Sequence, residues 1–124
     1  KKKDIKLLKL TQKTKIFLAV AAVDFRKGID GLCEVCKSSF GHNPRSQSMF
    51  VFRNKKKTAV KILYYDGTGY WLCMKRLSKG QFWWPKNTGG KISSIDSKGL
   101  IDMLFEEPLE KYGSLNWQKV GNLT

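Results

Sequence analysis

Residues 49–85 read MFVFRNKKKTAVKILYYDGTGYWLCMKRLSKGQFWWP and carry the most informative pattern of the chain. Apolar and aromatic runs of strand length alternate in it with short breaks that are typical of hairpin turns. Residues 54–58 form a basic connection, residues 66–69 read DGTG, and residues 78–80 form a third turn. Such short connections predict an antiparallel meander of four strands, at residues 48–53, 59–65, 70–76 and 81–84.

The segments on either side of this stretch predict one more strand and two helices. Residues 16–23 (IFLAVAAV) are an apolar run of strand length that is available to extend the sheet at its edge. Apolar residues recur at helical spacing over residues 26–39, where Asp24 is the candidate N-cap, because its carboxylate can accept backbone N–H groups. A second helix is predicted over residues 97–106, with Ser94 or Asp96 as its cap.

These elements together predict an α+β fold: a four-stranded antiparallel meander, with an N-terminal strand available to join it, packed by one or two helices. A chain of 124 residues has room for one domain. We therefore expect a basic N-terminal arm at residues 1–15, a single domain at residues 16–107 and an irregular tail at residues 108–124.

The predicted sheet is apolar on both faces. Side chains alternate along a strand, so Ile62 and Tyr64 lie on the face opposite to that of Leu63 and Tyr65. One face can be covered by the first helix. The other face needs the second helix, another subunit or a ligand that stacks on it.

The chain is strongly basic, with 24 Lys and Arg against 10 Asp and Glu and a net charge of +14. This excess makes nucleic acid the first partner to consider, although an acidic protein or a membrane surface would satisfy the same arithmetic. No apolar run reaches the roughly 18–20 residues that span a bilayer, so we expect no membrane partner. Three cysteines, an odd number, fit a reducing compartment, and the expected location is the cytoplasm.

Several motifs, in order, resemble one known family: DFRKGIDGL at residues 24–32, MFVFRN at residues 49–54, KILYYDG at residues 61–67, and KRL followed by KGQFWWP at residues 75–85. This combination is similar to the product of the second open reading frame of insertion sequences of the sixty-six family, a small accessory protein often labelled transposase B. The resemblance covers roughly residues 20–105. Phe25 stands where the family usually has Met, and Tyr65 often has Trp as its counterpart.

The resemblance implies a protein of a mobile element that works beside a separate, larger transposase, which carries the strand-transfer carboxylates. The expected partners are therefore DNA, above all the ends of the insertion sequence, and the transposase with other proteins of the same element. The biochemical activity of the accessory protein itself has to be argued from its residues.

Basic and aromatic residues around the hairpin loops are the candidate DNA-binding site. Cations that protrude from adjacent loops can meet the phosphates of one nucleic-acid strand jointly, and an exposed tryptophan can stack on an unpaired base. The alternative is that the lysines are solvent-exposed turn residues that bind no ligand, and that the tryptophans lie in the hydrophobic core. The candidate residues are Arg53, Lys55, Lys56, Lys57, Lys61, Lys75, Arg76, Lys79, Trp83 and Lys86.

Two alternatives to a non-enzymatic DNA-binding accessory protein stay open. One is a metal-dependent nuclease, for which Asp24, Asp30 and Asp66 are the candidate carboxylates. Each of these has a sufficient structural explanation: a helix cap for Asp24, an ion pair with Arg26 for Asp30, and the DGTG turn for Asp66. The other alternative is a pure protein scaffold of the transposition complex.

No metal or other cofactor is expected. Cys33 and Cys36 form a C-x-x-C motif with His42 nearby, but a structural zinc site needs four ligands and only Cys73 is left as a fourth. On a helix, both cysteines of the motif fall on the face that the pattern assigns to the core, where a thiol behaves as a small apolar group. We expect His42 to be exposed in a polar loop.

Overall fold

The computed structural model describes residues 13–86 and 89–105. Five strands and two helices follow one another: β1 Ile16–Ala19, α1 Ile29–Val35 continued by a π-helical turn Cys36–Phe40, β2 Met49–Arg53, β3 Ala59–Tyr65, β4 Tyr70–Arg76, β5 Ile92–Ile95 and α2 Ser97–Phe105. The strands form one sheet in the order β4-β3-β2-β1-β5. The predicted α+β fold is confirmed.

The centre of the predicted meander is present. β2 pairs with β3 and β3 with β4, both antiparallel, with Phe52 opposite Lys61 and Lys61 opposite Met74. The predicted turn after β3 also forms, because the Asp66 carboxylate accepts the backbone N–H groups of Thr68 and Gly69 at 2.8 and 3.0 Å. The bounds of β3 and β4 are those that the sequence pattern predicts.

The other two strands of the sheet differ from the prediction. Residues 81–84 are not a strand, since the backbone N–H of Phe82 bonds to the carbonyl oxygen of Lys57 and not to a neighbouring strand. The strand β5, which lies outside the predicted strands, joins the sheet instead. β1 is not at the edge: it lies between β2, to which it runs parallel, and β5, to which it runs antiparallel.

The first helix begins later than predicted. Its N-cap is Gly28, which makes no side-chain cap, and α1 starts at Ile29 instead of residue 26. Asp24 caps the preceding turn, where its carboxylate accepts the backbone N–H of Arg26 at 2.9 Å. The predicted ion pair between Arg26 and Asp30 is wrong, because Arg26 lies before the helix and pairs with Asp24 at 2.7 Å.

The second helix agrees with its prediction over the described residues. Asp96 provides the cap, its carboxylate accepting the backbone N–H of Gly99 at 2.8 Å. The last predicted residue of this helix, Glu106, lies outside the described residues. So do most of the predicted N-terminal arm and the whole predicted C-terminal tail.

Each face of the sheet has its own core. On one face Phe50, Phe52 and Leu63 pack against Leu32 and Cys36 of the first helical segment. The opposite face is covered by α2 and by the segment after β4. Its buried side chains include Ile62, Tyr64, Phe82, Trp84, Leu100 and Leu104. No helix in residues 13–86 and 89–105 has both the length and the apolar character that crossing a membrane requires.

Candidate nucleic-acid interface

The strand directions bring several loops to one end of the sheet. β1 and β2 run parallel and end there, β3 starts there, and β4 ends there, with Arg76 opposite Ala59. Two further backbone hydrogen bonds tie the segments after β1 and before β5 to this end: Val23 to Arg53 and Val20 to Lys91, each at 3.0 Å. We call this the basic end, after its cations: Arg26, Lys27, Arg53, Lys55, Lys56, Lys57, Arg76, Lys79, Lys86 and Lys91.

Asn54 shapes the first basic loop of this end, residues 54–58. Its side-chain oxygen accepts the backbone N–H groups of Thr58 and Ala59 at 2.8 and 3.1 Å, and its amide nitrogen donates to the Thr58 hydroxyl at 2.8 Å. Lys57 takes a left-handed conformation, with φ of 61°, which lets the loop close in few residues. Lys55 and Lys56 are exposed and Lys57 is half-buried, on a loop that is held by hydrogen bonds.

The segment after β4 is fastened to this same loop. The backbone N–H of Leu77 donates to the carbonyl oxygen of Thr58 at 2.9 Å, and that of Phe82 to the carbonyl oxygen of Lys57 at 2.7 Å. The Gln81 side chain donates to the carbonyl oxygen of Lys56, also at 2.7 Å. Lys79, between these contacts, is thereby brought next to the lysines of the first loop.

Three of the predicted binding cations have partners inside the fold. The Lys61 ammonium donates to the carbonyl oxygens of Phe25 and Lys27 at 2.7 and 2.8 Å, and lies 4.9 Å from the Phe25 ring centre. The Arg53 guanidinium donates to the carbonyl oxygen of Val20 at 3.1 Å, and its burial lowers its pKa. These two side chains anchor the segment after β1.

Lys75 is the third such cation. Its ammonium donates to the carbonyl oxygen of Leu104 and lies 4.6 Å from the Phe105 ring centre, so that it joins β4 to the end of α2. Lys55, Lys56, Arg76, Lys79 and Lys86 are exposed, in contrast. The structure thus divides the predicted cations into a group that holds the fold and a group that faces solvent.

The two neighbouring tryptophans have different environments. Trp84 is 5% exposed and its indole N–H donates to the carbonyl oxygen of Ala19 at 2.7 Å. Trp83 is 52% exposed, between the buried side chains of Phe82 and Trp84. A large aromatic surface is therefore held open to solvent beside the two basic loops.

The three candidate carboxylates do not converge. Asp24 lies at the basic end and is paired with Arg26, whose hydrogen bonds lower the pKa of this carboxyl well below its usual range. Asp66 is at the opposite end of β3, roughly 20 Å away at about 3.3 Å per residue. Asp30 lines a cavity with Tyr70, the first residue of β4, and so lies toward the Asp66 end.

Metal-ligating residues are also dispersed. No three His, Cys, Asp or Glu side chains within the described ranges form a group that could hold a metal ion. Cys33 and Cys36 pack on one face of the sheet and Cys73 on the other. Burial raises the pKa of Cys36 to about 12, as expected for a thiol in a core. His42 is half-buried, 4.8 Å from the Phe17 ring centre, and not simply exposed as predicted.

Sequence reasoning missed three cations of the basic end, namely Arg26, Lys27 and Lys91. Their positions follow from the parallel pairing of β1 with β2 and from the unpredicted strand β5. The available signal was the apolar run at residues 16–23, followed by a helix and a second apolar strand, which is the order of a crossover between parallel strands.

This arrangement defines a class of small, strongly basic α+β domains whose cations gather at one end of a mixed sheet. The family described as IS66 Orf2 like protein matches residues 14–108, and the chain belongs to this family. Membership indicates an accessory role in the transposition of an insertion sequence.

Two curated relatives come from Sinorhizobium fredii. The chain is 33% identical to the uncharacterized protein y4hO over 82 residues, which are 66% of this chain and 71% of that protein. It is 35% identical to the uncharacterized protein y4jC over 78 residues, which are 63% of this chain and 67% of that protein. No solved structure matches.

Proposed function

We propose that this protein is a non-enzymatic accessory factor of transposition that binds DNA through its basic end. The observation that carries the proposal is the joining of two lysine-bearing loops by the hydrogen bonds from Leu77, Gln81 and Phe82. Asp24, the candidate carboxylate that lies at this end, is already neutralised by Arg26.

Electrostatics gives this cluster its affinity for a polyanion. The exposed cations sit on loops in direct contact, so they lie within about one or two Debye lengths of each other at physiological salt. Each phosphate that they neutralise releases condensed counterions, which makes the binding constant fall as salt rises. Arg53, Lys61 and Lys75 are half-buried, and their side chains stabilise the fold through hydrogen bonds to carbonyl oxygens.

A salt titration of DNA affinity tests the proposal. In the first variant, Lys55, Lys56 and Lys57 are all changed to Gln. The slope of log K against log salt on a duplex, which is negative, should become less steep by about 2–3. The matched control changes Lys37, Arg45 and Lys98 to Gln, which removes the same charge from exposed positions outside the basic end. An equal loss of slope in both variants, or none in either, contradicts the proposed surface.

The nuclease alternative calls for a separate variant, in which Asp24, Asp30 and Asp66 are all changed to Asn. If the protein is a non-enzymatic accessory factor, this variant, once shown to be folded, should still support transposition, because the three carboxylates lie on different parts of the fold. Loss of transposition with DNA affinity intact would favour the nuclease. A protein that binds no duplex at physiological salt would favour the pure scaffold.

The proposal includes docking of the transposase at the edge strand β4. No further strand pairs with the outer side of β4 among the described residues, and its side chains Trp71 and Met74 are 42% and 56% exposed. An edge with exposed apolar side chains is suited to receive a strand of a partner, with backbone hydrogen bonds for affinity and side chains for selectivity.

A polar, uncharged substitution on this strand tests the docking. Met74→Gln should weaken binding to the transposase of the same element without changing the salt dependence of DNA binding, because it replaces an exposed apolar side chain and leaves the charge of the protein unchanged. A transposase affinity equal to that of the unchanged protein would place the docking surface elsewhere.

A further inference from the structure

We propose that the basic end takes unpaired nucleotides, with Trp83 as the platform on which a base stacks. This inference rests on the proposed DNA binding and specifies its substrate as single-stranded DNA, or a DNA end whose strands have separated. It explains a tryptophan that the fold leaves exposed beside its main cluster of cations.

The backbone around Trp83 is fixed by its neighbours. On one side, Phe82 is 4% exposed and its backbone N–H donates to the Lys57 carbonyl oxygen at 2.7 Å. On the other side, the buried Trp84 donates to the Ala19 carbonyl oxygen. The backbone that carries the Trp83 indole therefore has little conformational freedom to lose when a ligand binds, which favours binding.

The position of Trp83 suits a strand that lies across both loops. The Lys57 contact places the segment beside the first basic loop, and Lys86 follows three residues after Trp83. A strand whose phosphates meet these lysines has its bases within reach of the indole. In a duplex the faces of the bases are covered by their neighbours in the stack, so this surface of Trp83 gains nothing from paired DNA.

The second strongly exposed tryptophan is in a different setting. Trp71 lies near the opposite end of β4, paired with Tyr64, and its indole N–H donates to the Asp66 carboxylate at 2.8 Å. It is thus next to an acidic group, which repels phosphate. Trp71 provides a control for an exposed indole that is not beside the cations.

Trp83→Ala separates the inference from the proposed function when it is measured on three probes at one salt concentration: an oligothymidylate, an abasic oligonucleotide of equal length, and a duplex. We expect the variant to bind the oligothymidylate about 5- to 100-fold more weakly. Its affinity for the abasic strand and the duplex should be unchanged, since both keep the phosphates but present no free base. Trp83→Phe, which keeps an aromatic face, should recover most of the loss, and Trp71→Phe should have no effect.

Equal weakening on all three probes, or no weakening on the oligothymidylate, overturns the stacking role while DNA binding itself stands. Absence of salt-dependent binding to every probe in the unchanged protein would instead reject the proposed function, and the stacking role with it. A urea unfolding curve of Trp83→Ala confirms that the variant is folded.

Discussion

The backbone N–H of Phe82 donates a hydrogen bond to the carbonyl oxygen of Lys57 at 2.7 Å, and this contact joins the segment after β4 to the loop between β2 and β3. The acceptor is on Lys57, a loop residue in the left-handed conformation, with φ of 61°. Together with the hydrogen bonds from Leu77 and Gln81, this contact brings the two basic loops next to each other.

Asn54→Ala should loosen the first basic loop. The change leaves the backbone N–H groups of Thr58 and Ala59 without their acceptor, so we expect the free energy of unfolding to fall by about 1–3 kcal/mol in urea. Asn54→Asp keeps an acceptor and should recover most of the stability. It should still bind DNA more weakly than the unchanged protein, because it puts a negative charge among the lysines. Equal stability of the Ala and Asp variants would mean that Asn54 does not shape the loop.

Lys61→Met should destabilise the fold and leave the salt dependence of DNA binding unchanged. Methionine keeps much of the stem but removes the ammonium that holds the carbonyl oxygens of Phe25 and Lys27, which costs about 1.5–3 kcal/mol. Lys56→Met at an exposed position is the matched control, with the opposite pattern: unchanged stability and a smaller salt slope. Measurement of both quantities on both variants shows whether the structural and binding cations are correctly divided.

The neighbouring tryptophans should differ sharply in their contribution to stability. Trp84→Ala opens a cavity in the core and leaves the Ala19 carbonyl oxygen without its donor, for an expected loss of about 3–5 kcal/mol. Trp83→Ala should stay within about 0.5 kcal/mol of the unchanged protein, as is usual for surface substitutions. Similar losses for the two in urea unfolding would contradict their assignment to core and surface.

Asp66 should make the fold sensitive to acid. Its carboxylate accepts hydrogen bonds from Thr68, Gly69 and Trp71, which lower its pKa below the ordinary value of 3.8. A carboxyl with a lowered pKa in the folded state contributes stability above its ordinary pKa, and the contribution is lost as the pH falls through the folded value. Asp66→Asn should therefore flatten the decrease of stability with pH below about 4.

Trp71→Phe is the companion variant for this measurement. It removes one of the three residues that donate to the carboxylate. The decrease of its stability in acid should therefore lie between those of the unchanged protein and of Asp66→Asn. Urea unfolding at about pH 5, 4 and 3 compares the three proteins. An identical acid response in all of them would show that this turn contributes nothing to the pH dependence.

The central hairpins could be predicted from sequence because their signals are local. The DGTG turn after β3 and the alternating apolar residues of β3 and β4 specify each other within a few residues. The faces of Ile62, Tyr64, Leu63 and Tyr65 followed from the same alternation. The binding residues predicted on these loops therefore include the exposed lysines of the basic end.

The rest of the sheet depends on contacts distant in sequence. β5 is the four-residue stretch ISSI, whose two adjacent serines interrupt the alternation that identifies a strand. Its place in the sheet depends on its antiparallel pairing with β1. Residues 81–84 have a stronger strand composition, yet Phe82 and Trp84 are drawn to the core and Pro85 follows. The involvement of Lys61 and Arg53 inside the fold could not be read from composition, because exposed and carbonyl-bound cations look alike in a sequence.

The cations of the basic end that face solvent sit where strands stop, while both cores lie within the sheet and beneath its helices. Substitutions of the exposed cations of the basic end therefore change how strongly the molecule attracts an anion, and they do not disturb its interior. Exchange of a few exposed lysines can therefore change the net charge of this surface while the same scaffold is kept.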